Sequence, residues 1–123
     1  MKTAIIVLAD PAGGEEALGR LFNALAAAYD LKQKQQEVAI LFQGAGTRWA
    51  SELTNPEHPV HALYAAVADQ VAGVSSGCAD VFGARADAET AGFSFMSDNA
   101  VPGTSGLPSL ARYLGDGYAV LTF

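Results

Sequence analysis

The sequence predicts a single three-layer α/β/α domain on a mainly parallel sheet of about five strands. Three observations carry that prediction. Apolar, β-branched runs alternate with segments of helical period along the whole chain. The clearest runs are apolar at consecutive positions, as strands covered on both faces are. The breaks between segments are rich in glycine, proline, asparagine and aspartate.

The elements follow in order. Residues 3–9 (Thr-Ala-Ile-Ile-Val-Leu-Ala) read as a first buried strand, ended by Asp10-Pro11-Ala12-Gly13-Gly14. From 15 to about 32 the period turns helical. Leu18, Leu21, Phe22, Leu25 and Tyr29 fall three and four apart and predict one core-facing stripe. Glu15 and Glu16 suit the positive end of that helix, and Asp10 is a candidate cap. Residues 37–42 form a second strand, followed by the loop Gln43-Gly44-Ala45-Gly46-Thr47. A short helix over 48–53 is expected next, with Thr47 placed to cap it. Asn55-Pro56-Glu57-His58-Pro59 is a turn. A helix over 59–71 places Val60, Leu63, Tyr64, Val67 and Val71 on one face.

A third strand is expected at 73–77, then a short helix from Cys78 to about Arg85. Residues 93–96 suit a brief fourth strand, and 98–106 form a loop of turn residues. A closing helix over 107–114 is stopped by Gly115 and Gly117, and 118–123 is the last strand. Strand–helix–strand units of this kind are right-handed almost without exception, so the expected fold is Rossmann- or flavodoxin-like. The pattern leaves the strand order open.

At 123 residues the chain suits one domain, 1–123, with a substantial core. Half of the residues are hydrophobic and only 16% are charged, a surplus that predicts subunit contacts. Thirteen acids against seven bases give a net charge of -6. That balance argues against nucleic acid and anionic membrane surfaces. No apolar run is long enough for a bilayer, and the short N-terminal run meets Asp10-Pro11 without a cleavage region. A lone cysteine forms no internal disulfide, so a reducing, cytoplasmic setting is expected.

Chemistry in open α/β sheets collects at the carboxyl ends of strands. Cys78 closes the run Val74-Ser75-Ser76-Gly77-Cys78, where a strand is expected to pass into a helix. A thiol at a helix N-terminus is favoured as the nucleophilic thiolate. The competing reading is a small buried hydrophobe. Asp10, Gly44, Gly46, Thr47, Arg48 and Gly77 are candidate ligand-binding positions. Two glycines allow close backbone approach to a ligand, and Arg48 would draw an anion into the crevice. The structural alternatives are turns, a cap and a solvated arginine. Trp49 reads as a pocket wall, an interface anchor or a half-buried aromatic.

The loop after the first strand matches neither the dinucleotide fingerprint nor the P-loop, so no cofactor is expected. His58 and His61 stand three apart without a third ligand near them in sequence, so no metal is expected.

Taken together, these segments resemble the DsrE/DsrF-like proteins, which include sulfur-relay subunits of the TusD type. The resemblance rests on the N-terminal apolar strand, the long first helix, the loop Phe42-Gln43-Gly44-Ala45-Gly46, the lone cysteine in Ser76-Gly77-Cys78-Ala79, and the closing helix, glycine and strand. It implies a parallel-sheet fold in homo- or hetero-oligomers. In relay members a cysteine at this strand end carries sulfane sulfur as a persulfide, and the resemblance implies that role for Cys78 alone. Sulfur donor and acceptor proteins would be its partners. Residues 80–84 (Asp-Val-Phe-Gly-Ala) depart from the relay subunits. Two functions are therefore carried forward: a sulfur carrier or sulfurtransferase-like subunit using Cys78, and a non-catalytic ligand-binding or assembly module on the same fold.

Overall fold

A computed structural model describes residues 1–123. Five parallel strands form one sheet: β1 (Lys2–Val7), β2 (Glu37–Phe42), β3 (Val71–Ser75), β4 (Phe95–Met96) and β5 (Tyr118–Thr122). Their spatial order is β4-β3-β2-β1-β5. The helices are α1 (Gly14–Gln33), α2 (Trp49–Leu53), α3 (His61–Val67), α4 (Ser76–Val81), α5 (Arg85–Thr90) and α6 (Leu110–Gly115).

This order explains the layers. From β1 to β4 the chain steps in one direction across the sheet. Right-handed crossovers in one direction place their helices on one face. The main core shows this: Leu21, Leu25 and Ala28 of α1, Trp49 and Leu53 of α2, Tyr64 and Val67 of α3 and Ala88 of α5 pack on Ile5, Val7, Ile40, Phe42 and Val74. The step from β4 to β5 runs back across the sheet, so α6 lies on the opposite face. There Tyr113 packs on Ala4, Ile6 and Leu41. Alternate residues of β1 thus feed two cores, which is why the run is apolar at consecutive positions.

Several boundaries differ from the sequence expectation. The helix expected over 59–71 ends at Val67; residues 68–70 make a tight turn and Val71 already belongs to β3. Val71 still packs on the main core, but from the sheet. Helix α5 falls in a polar stretch whose short period carries no apolar stripe, and it was not expected. Strand β4 is two residues long, and α6 begins three residues later than expected.

The stripe on α1 also differs. Phe22 and Tyr29 are 48% and 41% exposed, while Ala17, Ala24 and Ala28 are buried. Small side chains let the helix axis approach the sheet along the alanine side, which rotates the larger residues to the flank.

At the amino ends of the strands, Tyr118 reaches across β1 and donates its hydroxyl to a Glu37 carboxylate oxygen at 2.7 Å. That bond pushes the phenol up to about 12. The folded state therefore favours the protonated phenol, and this tie is lost as pH rises from about 10 towards the folded value.

Leu25→Ala is expected to lower the unfolding free energy by about 2–5 kcal/mol, because Leu25 is fully buried. Phe22→Ser is expected to change it by less than about 1 kcal/mol. Urea denaturation of both variants checks which side of α1 faces the core.

Candidate functional site

Strand β3 ends at Ser75, whose extended backbone turns the chain into α4. The buried Ser75 hydroxyl accepts a hydrogen bond from the Cys78 amide at 3.3 Å and so caps the helix. Helix α4 therefore starts earlier than the sequence suggests. The strand ends two residues earlier than expected, and Cys78 is the third residue of the helix rather than its first. It is half-buried and free. Helical spacing puts Val81 and Phe82 on its side of α4, and Val81 is 73% exposed.

The connection after β3 leaves over the main helical face, while the connection after β4 crosses to the face of α6. Adjacent strands whose connections part in this way open a crevice at their carboxyl ends. In this protein the loop between β4 and α6 fills that crevice. The Gly77 amide donates to Gly106 O at 2.7 Å. A Cβ on Gly77 would lie 2.9 Å from Leu107 Cδ1 and 3.1 Å from Gly106 O, so any side chain there would make Leu107 and the loop give way.

A polar clasp holds the loop down. Arg85 Nε donates to Asp80 Oδ1 at 2.5 Å, and its Nη2 donates to Ser76 Oγ at 2.6 Å and Ser76 O at 3.2 Å. Ser105 Oγ donates to Asp80 Oδ2 at 2.7 Å and lies 2.7 Å from Ser76 Oγ. The guanidinium also stacks on Phe95, 4.4 Å from the ring centroid. Hydrogen bonds from Arg85 and then Ser105 hold the Asp80 carboxyl below the usual carboxylate range. None of these partners was legible in the sequence. Asp80 and Arg85 lie five apart across a helix break, and Ser105 comes from a distant loop.

The other predicted positions form a second group beside α4. Asp10 does not cap α1; it accepts from the Ala12 amide and caps the short turn before it. Its other oxygen lies 3.0 Å from Arg48 Nη1. Arg48 Nε donates to Phe82 O at 3.1 Å, a carbonyl at the end of α4. Arg48 is thus bound to a carboxylate and a helix end. With Pro11, Ser51, Glu52, Phe82 and Asp87 these residues line an open cleft of about 330 Å³.

Gly46 packs against the end of β1: a Cβ there would sit 2.2 Å from Val7 O. Thr47 does not cap α2. Its hydroxyl turns back to Gly44 O at 2.8 Å. Trp49 is buried rather than half-buried, and its indole N–H donates to Ala9 O at 2.7 Å. The two imidazoles are engaged separately. His58 Nδ1 accepts from the Val60 amide, and His61 Nδ1 lies 2.7 Å from Leu53 O. No group of three or more His, Cys, Asp or Glu side chains converges on one point.

The model of the DsrE/DsrF-like family matches residues 1–123. The chain belongs to the DsrE/DsrF-like family. It is 26% identical over 121 residues to an uncharacterized protein of Methanocaldococcus jannaschii, covering 98% of this chain and 94% of that one. The crystal structure of the ychN protein from E. coli superimposes with a TM-score of 0.54 at 19% identity, over 100% of both chains. That likeness shows the shared fold.

In this DsrE/DsrF-like chain the clasp has a pH dependence with a definite sign. A lowered carboxylate pKa in the fold means stability that is present above the unfolded value, near pH 4, and lost as pH falls through the folded value. Amides of loop 98–106 are expected to exchange faster as pH drops below about 4 once the intrinsic rate is divided out. Asp80→Asn should remove that acid limb while leaving the rest of the profile. Gly46→Ala is expected to destabilise by about 1–3 kcal/mol, read by thermal or urea unfolding, because the strand end must move.

Proposed function

We propose that this DsrE/DsrF-like protein carries sulfane sulfur on Cys78. The observation that carries the reading is the placement of the chain's sole thiol: half-buried but open to solvent in part, on the first turn of α4, at the carboxyl edge of the sheet. Family membership supports a sulfur-handling role. The exposed Val81 beside Cys78 supports access by another protein.

The chemistry balances without an outside oxidant. The Cys78 thiolate attacks the outer sulfur of a donor persulfide. A new S–S bond forms on Cys78, the donor's S–S bond breaks, and its electron pair leaves on the donor thiolate. An acceptor thiolate then attacks the outer sulfur on Cys78 and regenerates the Cys78 thiolate. With no second cysteine in the chain, no neighbouring thiol resolves the persulfide to a disulfide. Partners of this reading are a donor protein, an acceptor protein and further copies of the chain. A reducing compartment such as the cytoplasm suits a free working thiol. No helix is long and apolar enough to cross a membrane.

The test is intact mass after incubation with a small-molecule persulfide donor. Wild type is expected to gain one sulfur atom, lost again on treatment with excess thiol, and Cys78→Ala is expected to gain none. Equal gain in both proteins, or none in either, overturns the carrier reading. A thiol that reacts with an alkylating reagent only after denaturation would favour the non-catalytic module instead.

A further inference from the structure

We infer that Gln43 and Ser75 donate the hydrogen bonds that hold the negatively charged outer sulfur once Cys78 carries one. Gln43 does so through its carboxamide N–H and Ser75 through its hydroxyl. The inference rests on the carrier reading of Cys78 and names the groups that bind its cargo.

The register of the sheet sets these two residues side by side. Gln43 follows β2 directly, and Ser75 is the last residue of β3. Phe42 pairs with Val74, so Gln43 and Ser75 come next, about 4.8 Å apart by the spacing of neighbouring strands. The backbone of Gln43 is still extended, and its N–H still donates to Val7 O at 3.0 Å. Successive residues of extended chain point to opposite faces. Phe42 and Val74 pack in the main core, so Gln43 and Ser75 both turn towards the face of α6.

Both side chains are buried, Gln43 with 8% and Ser75 with 0% of its surface exposed. Yet neither has an acceptor for its protons. Ser75 Oγ accepts from the Cys78 amide and donates to nothing. The Gln43 carboxamide makes no hydrogen bond within the protein, not even as a cap of the turn that follows it. The other buried polar side chains at this end of the sheet are paired: Thr47 with Gly44 O, and Ser76 with Ser105 and Arg85. Two adjacent buried donors left unused call for a ligand. Gln36 Oε1 is the one unpaired side-chain polar atom sealed from solvent, so the Gln43 carboxamide keeps an opening to the outside.

The ligand follows from Cys78. It stands three residues after the capping Ser75, the position from which a side chain reaches back towards the cap. Its own sulfur makes no hydrogen bond to either donor. An S–S bond adds about 2 Å of reach. The outer sulfur of a persulfide thus extends towards donors that the bare thiol does not meet. Ionised, it is an acceptor in need of donors, and hydrogen bonds to a charged acceptor are the strong ones. No proton changes hands: the outer sulfur has lost its own to solvent, and Gln43 and Ser75 keep theirs.

The test loads the full chain with sulfur from a small-molecule persulfide donor, removes the donor, and alkylates with iodoacetamide across a range of pH. Intact mass separates the adduct of the outer sulfur from that of the unloaded thiol. Gln43→Met keeps the length of the side chain and removes the amide. It is expected to move the pH profile of the outer sulfur upward by about one unit, so that alkylation on the acid side slows about tenfold. The unloaded thiol is expected to react as in wild type. Gln43→Glu keeps the shape, brings a negative charge, and is expected to shift the profile at least as far; it carries the test if the methionine variant fails to fold. Ser75→Ala also loosens the cap of α4, so Gln43 is the informative position. Equal outer-sulfur profiles in wild type and in the Gln43 variants overturn the inference and leave Cys78 as a carrier. A shift shared equally by the unloaded thiol overturns it too, because the amide would then act on the fold of the site. A wild type that takes up no sulfur removes the carrier reading and this inference together.

Discussion

The handedness of the strand–helix–strand crossover decides where everything else in this molecule sits. Four strands are laid down in one direction, so α1, α2, α3 and α5 gather on one face and build the large core. The fifth strand returns past β1, and its single short helix α6 supplies the smaller core on the other face. β1 stands at the turning point of this path and is buried from Thr3 to Val7. The same reversal creates the crevice after β3 and leaves β5 with one neighbour. Site and edge are both consequences of one topological choice.

Within the crevice the protein has spent its polar groups on itself. Arg85, Asp80, Ser76 and Ser105 satisfy one another and hold a loop against Gly77. Asp10, Arg48 and the carbonyl of Phe82 do likewise on the other side of α4. The two groups brace the start and the end of the helix that carries Cys78. A six-residue helix has little stability of its own, so tertiary ties of this sort are what keep it formed. The thiol between them is one of the few reactive groups near the strand ends without an engaged side-chain partner, which is why it remains the centre of the functional reading.

What the sequence made legible follows from periodicity. The consecutive apolar residues of β1 and β2 and the three-and-four spacing in α1 are strong local signals, and those elements appear close to where expected, while α3 forms but stops at Val67. The weaker elements depend on distant partners. β3 is shifted because Val71 pairs with Ile40 and the register slips before Gly73 pairs with Leu41. α5 lacks an apolar period altogether, and β4 keeps only two residues of the strand expected at 93–96. Phe22 and Tyr29 have the spacing of core residues, yet the alanines at 17, 24 and 28 decide which side of α1 comes close to the sheet. The candidate site was legible in part. The position of Cys78 near the end of β3 could be read, but its caps, its clasp and the pairing of Arg48 with Asp10 could not.

The sequence by itself determined the class of fold, the succession of its main elements and the single thiol available for chemistry, because these depend on side-chain period and on the count of one residue type. Tertiary structure alone decided the strand order, the filling of the crevice by the 98–106 loop and the bare edge of β5. Those features arise when residues far apart in the chain meet, as Arg85 meets Ser105 and Lys2 meets Tyr118. Local propensity holds no record of such meetings; they are selected by burial of two unequal faces and by the hand of the crossovers.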